Sequence, residues 1–246
     1  MMKKNILFCS AIFGLSGAAF AQNSFEGFYA QLGSGYEENA IRDTSATSYE
    51  APGTPSLFYY AAPNKSQGNM PLVAAFGYMY SVKPKYLFGF GMDYSALTQG
   101  TSSYNSIDQY DATLDAQHFS ISQRLDLFLT PAMRIGNDAL LYLKAGYSLV
   151  KISQSANATF NGDLTYSDFG YTNPTNPRAY VSGYVIGAGY KKMISNKFYG
   201  FSEVNFYSYA KKPLNITTTG NGGINSNTVT PQLNTYQLLL GIGYQF

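Results

Sequence analysis

The sequence predicts an all-β fold: an eight-stranded antiparallel transmembrane β-barrel with short periplasmic turns and long extracellular loops, behind a cleaved export signal. Three observations predict it. Segments of about ten residues alternate large apolar with small or polar side chains, the pattern of a wall between lipid and lumen. The connections between these segments alternate short and long. Charged residues make up only 12% of the chain against 16% aromatics, with 23 Tyr, 17 Phe and no Trp. That charge is about half the usual share for a soluble domain, and a surface facing lipid needs no more.

The amino terminus reads as a secretory signal. Lys3 and Lys4 precede an uncharged, largely apolar run, and Ala19-Phe20-Ala21 fits a small-residue cleavage site. The expectation is a signal peptide over 1–21 and a barrel over 22–246, with the mature chain starting near Gln22. The apolar run falls short of the ~20 residues that a spanning helix needs. Cys9, the single cysteine, lies within it, so the mature chain is expected to have no disulfide, cysteine metal site or thiol nucleophile. Removing Lys3 and Lys4 from the 16 cations leaves 14 of each sign, so the basic excess belongs to the signal and gives no reason to expect a nucleic-acid partner; none is expected. No later stretch is long and apolar enough for a transmembrane helix. Strands closed into a barrel are then the way to span a membrane with every backbone group paired.

Eight segments follow: Phe25–Glu37, Met70–Val82, Tyr86–Thr98, Ala116–Arg134, Ala139–Ile152, Tyr180–Lys192, Phe198–Ala210 and Leu233–Phe246. In the last, Tyr236, Leu238, Leu240, Ile242, Tyr244 and Phe246 share one face; Gln237, Gly241, Gly243 and Gln245 share the other, with Leu239 an apolar exception. The same reading turns Leu72, Phe76 and Tyr80 outward, then Phe88, Phe90 and Met92. In the fourth segment it turns Phe119, Ile121, Leu125, Leu127 and Leu129 outward. Short turns are expected at 83–85, 135–138 and 193–197, and long polar loops at 38–69, 99–115, 153–179 and 211–232. Tyr and Phe at the strand ends suit interfacial girdles. The many strand glycines suit a tightly curved small barrel.

The closing Gly241-Ile242-Gly243-Tyr244-Gln245-Phe246 looks like the terminal assembly signal of outer-membrane proteins, with Tyr244 and Phe246 its aromatic positions. Phe28-Tyr29-Ala30-Gln31-Leu32-Gly33, Leu143-Lys144-Ala145-Gly146-Tyr147 and Gly187-Ala188-Gly189-Tyr190 add to the pattern. Together they resemble the small outer-membrane β-barrel family of opacity-type surface proteins and the OmpA transmembrane domain. The resemblance implies a Gram-negative outer-membrane location and an inward Glu203. As partners it implies outer-membrane lipid and lipopolysaccharide, the barrel assembly machinery, and a host or surface ligand reached through the loops.

Alternation turns Asp93, Arg124, Asp126 and Lys144 inward beside Glu203, a predicted lumen polar cluster. Eight strands enclose a space that side chains can fill, so a salt-bridged plug is favoured over an ion path. His118 and Ser120 match the His-x-Ser pair of a barrel lipid A deacylase, but Phe119 and Ile121 are expected to take the lipid face, so that the pair points inward or sits at the barrel rim. Asp108, Asp111 and Asp115 lack the alternate-residue spacing and glycine of a calcium loop. No cofactor or metal site and no enzyme activity is expected. Two function classes stand: a structural or adhesin-type barrel presenting long surface loops, or a small channel or carrier for small or apolar solutes.

Overall fold

The computed structural model describes residues 25–49, 64–107, 113–155, 159–160, 164–165, 172, 175–220 and 223–246. The expected signal segment, Gln22, Asp108 and Asp111 lie outside them, and the side chain of Asp115 is not described. Eight long strands form the wall: β1 (Gly27–Tyr49), β2 (Leu72–Lys83), β3 (Tyr86–Ser95), β4 (Thr113–Ile135), β5 (Ala139–Ser155), β6 (Arg178–Met193), β7 (Phe198–Tyr209) and β8 (Gly223–Gln245). Each pairs antiparallel with its neighbours in sequence. β1 pairs with β8 from Tyr29↔Gln245 to Tyr49↔Ser226, closing the ring. Closure removes the sheet edges, so backbone groups in the wall stay paired away from water.

The outer wall is apolar. Leu240, Ile242 and Leu143 are about 60% exposed, and Phe90, Leu127 and Val204 more than half. An exposed belt of this size calls for lipid. From Tyr236 to Phe246 it rises about 25 Å, at ~3.3 Å per residue and ~40° of tilt, which is the height of an outer-membrane apolar band. Aromatic rings gather at the short-turn end, where Phe198 meets Tyr244 at 5.0 Å and Tyr244 meets Phe246 at 5.1 Å. The turns there are tight; Gly136, at φ 65°, takes a left-handed conformation that glycine adopts without strain.

Two expectations need correction. Phe119 and Ile121 do not face lipid: they are 1% and 3% exposed and pack inside the barrel. The pairing of β4 with β5 shifts between Ser122 and Leu125, and Gln123 has φ 52°. One extra residue there inverts the side-chain parity of everything on its amino-terminal side. The long connections are also more ordered in strand than expected. β1 and β8 continue past the belt, with Thr47↔Thr228 among their pairs, and Leu214–Gly220 pairs along β8. Beyond the belt the apolar side turns inward: Leu214, Ile216 and Val229 are buried in the barrel's interior while the outer face becomes polar, so the lipid-facing apolar pattern that betrays a strand disappears.

Candidate functional site: the lumen and its rim

The inward faces build three layers. Next to the short turns, Phe25, Tyr29, Leu140, Tyr199 and Leu239 form an apolar and aromatic floor. Next to the long connections, Ile41, Phe119, Val150, Val185 and Leu233 form an apolar roof. Between them lies a layer of charges. β1, β3, β4, β5, β7 and β8 send long polar side chains into it, whereas β2 and β6 contribute small residues: Ala75, Gly77, Gly187 and Gly189. A Cβ on Gly77 would meet the Tyr29 ring at 2.6 Å, and one on Gly189 would overlap the ring of Tyr142. The glycines thus make room for the lumen's large side chains.

All of the sequence-predicted lumen residues lie in this middle layer, each under 5% exposed. Lys144 Nζ donates to Asp93 Oδ2 at 2.6 Å and to Glu203 Oε1 at 3.1 Å. Glu203 also accepts from Tyr142 Oη at 2.6 Å and from Asn205 Nδ2 at 2.7 Å. Arg124 Nη2 donates to Glu37 Oε2 at 2.7 Å, and its Nε lies 4.0 Å from Asp126 Oδ2. Gln237 joins the two halves: its Nε2 donates to Glu37 at 2.5 Å and its Oε1 accepts from Asn205 at 2.9 Å. Toward the roof, Thr235 Oγ1 donates to Asn39 at 2.7 Å, and Asn39 Nδ2 donates to Gln99 at 2.8 Å. Rings shield the cations: Arg124 stands 4.5 Å from the centre of Tyr207, and Lys144 4.4 Å from that of Phe128.

The sequence reading missed three groups here. Glu37 and Asn39 lie at the expected strand boundary, although the parity set by Leu32 and Tyr36 already turns them inward. Lys191 has the inward parity opposite to Tyr190; its ammonium sits 3.9 Å from the centre of Tyr29, with Tyr199 at 4.9 Å and Tyr142 at 5.2 Å. The cavity bordered by these rings, Phe128 and Glu203 has room for about one water molecule.

The β4 bulge also reverses the placement expected for His118 and Ser120. With Phe119 and Ile121 inside, these two face outward, opposite Ser155 and Ser153 of β5. No carboxylate pairs with His118 among the described residues. Among those residues, no group of three His, Cys, Asp or Glu is placed to hold a metal ion. At the carboxyl end, Tyr244 lies in the outer aromatic girdle, and the Phe246 N–H donates to the Phe28 carbonyl at 2.9 Å across the closing seam.

No protein-family model and no curated protein matches the chain. Solved structures do. The outer membrane protein OprG from Pseudomonas aeruginosa is 14% identical, with 92% of this chain and 99% of that one covered and a TM-score of 0.54. Neisserial surface protein A is also 14% identical, covering 90% and 98%, with a TM-score of 0.50. The outer membrane protease OmpT from Escherichia coli, 10% identical over 89% and 97%, reaches 0.47, too distant to bear on activity. At these identities the likeness is one of fold, and it is to outer-membrane barrels as a class. Together with the closed ring and the lipid-facing belt, it makes this chain an eight-stranded antiparallel β-barrel of the Gram-negative outer-membrane type.

Proposed function

We propose that this protein is a sealed outer-membrane barrel that displays its long extracellular hairpins for structural or adhesive contact with a ligand or host surface. One observation supports this above others: the continuous charge and hydrogen-bond layer spanning six strands, with apolar layers above and below. Opening a path through it would strand buried charges, whereas long segments on a rigid scaffold are the usual seat of recognition. Liposome swelling tests the reading. Vesicles holding the refolded protein should swell in small sugars no faster than empty ones; rapid swelling, or accelerated entry of an apolar solute, would favour the channel or carrier.

A second reading gains from the outward turn of His118 and Ser120, since a barrel esterase acting on lipid needs its nucleophile on that side. It lacks an acid to orient the imidazole among the described residues. We hold to the non-enzymatic assignment: lipid A incubated with the protein should keep all its acyl chains, as read by mass spectrometry. Tyr244 and Phe246 are assigned to recognition by the assembly machinery. Deleting Phe246 should lower the amount of folded protein in the outer membrane without changing synthesis.

A further inference from the structure

The outer face changes character abruptly on one side of the barrel. Along β5 the outward residues are Leu141, Leu143, Ala145, Tyr147 and Leu149, and the next two are Lys151 and Ser153. Lys151 stands about 25 Å above Leu141, at ~3.3 Å per residue and ~40° of tilt, so it meets the membrane where hydrocarbon gives way to headgroups. It lies opposite Tyr180 on β6, and Arg178 lies opposite Ser153. Diagonal neighbours on one face are roughly 7–8 Å apart, which sets Arg178 beside Lys151. Lys212, beyond β7, comes back to this place: its Nζ donates to the Tyr180 carbonyl at 2.9 Å.

Three cations therefore converge on a single rim position, and none of them forms an ion pair with a described carboxylate. Hydroxyls surround them, with Ser122 opposite Lys151 and Ser120 opposite Ser153. Just below, Tyr180 Oη donates to Gln123 Oε1 at 2.7 Å, a bridge that crosses β5 from β6 to the bulge in β4. The bulge is what turns Ser120 and Ser122 outward to join this patch. The cations, which only donate, and the serine hydroxyls, which can donate, form a donor-rich surface suited to a phosphate monoester.

We infer that Lys151, Arg178 and Lys212, with the serines of β4 and β5, bind the phosphate groups of an outer-leaflet glycolipid of the lipid A kind. The apolar wall below the cations would accept the acyl chains of the same molecule, and that continuity favours a lipid over free phosphate. The inference rests on the membrane-embedded barrel and is independent of whether the lumen is sealed.

The test uses the full mature chain refolded in detergent, with bound lipid measured by native mass spectrometry. The probes are bis-phosphorylated lipid A, the same lipid after phosphatase treatment, and inorganic phosphate. Wild type should prefer the phosphorylated lipid by about a hundredfold, at roughly a factor of five per cation near an anionic surface. K151Q/R178Q/K212Q should bring the two lipids near parity, while K151R keeps the preference. Removing Lys83, Lys85 and Lys197 from the opposite rim should change nothing. Equal binding of dephosphorylated lipid by wild type would overturn the site, a result that does not depend on any variant folding. So would a preference that survives the triple substitution or vanishes with the opposite-rim cations. Displacement of the lipid by millimolar inorganic phosphate would overturn the lipid as occupant.

Discussion

The two faces of β8 are made from alternate residues of one strand, yet they obey different rules. Outside, Leu238, Leu240 and Ile242 keep about half of their surface toward lipid, so each is specified by being apolar and little else. Inside, Gln237 bonds to Glu37, Asn205 and Tyr207, and Gly243 lies beneath the ring of Tyr199, where a Cβ would overlap it. The wall tolerates exchange within a chemical class; the lumen is a fitted object in which each side chain has named partners. A barrel this small gains rigidity from its filling as well as from its ladder.

The difference has measurable consequences. The largest is expected for Arg124→Ala, which leaves Glu37 buried beside Asp126 without its cation; about 3–5 kcal/mol should be lost in reversible unfolding from detergent. Glu203→Ala should cost less, because Lys144 keeps Asp93 at 2.6 Å; comparing the two midpoints checks the assignment of partners. On the outside, Leu240→Arg should lower stability by about 2–4 kcal/mol, as a cation in the mid-belt does. Gly243→Ser stands against the simple rule that lumen-facing changes are mild. Crowding Tyr199 should cost about 1–3 kcal/mol, whereas a barrel stabilised by its wall alone would scarcely notice it. The smallest change is expected for Thr228→Ala in the β8 extension, whose hydroxyl bonds exposed Asn215 at 3.0 Å; its midpoint should stay within about 0.5 kcal/mol of wild type.

The same contrast explains which parts of the molecule were legible in the sequence. The wall was, because lipid imposes a period-two pattern strong enough to read residue by residue, from Leu72 to Tyr80 and from Tyr236 to Phe246. Asp93, Arg124, Asp126, Lys144 and Glu203 were legible as inward charges for the same reason. Their pairing was not, since nothing in the spacing links Lys144 to residues 51 and 59 positions away. Glu37 was overlooked although its parity was correct, because charge at a strand end also suits a loop. The outer half of β4 was misread for a local cause: the bulge at Gln123 adds one residue without any proline or glycine to announce it, and a parity argument cannot survive an unseen insertion. The strands beyond the belt escaped because their outer face is polar, so only sparse inward residues such as Leu214, Ile216 and Val229 carry the pattern there.

The claim that the charge layer seals the lumen is tested in one planar-bilayer experiment on wild type and Arg124→Ala side by side. Wild type should give no resolved current steps and the variant a measurable leak, as water enters around the unpaired Glu37 and Asp126. Steady ion current through wild type, with Arg124→Ala changing its selectivity but leaving thermal unfolding unmoved, would contradict it and make the same residues the lining of a channel.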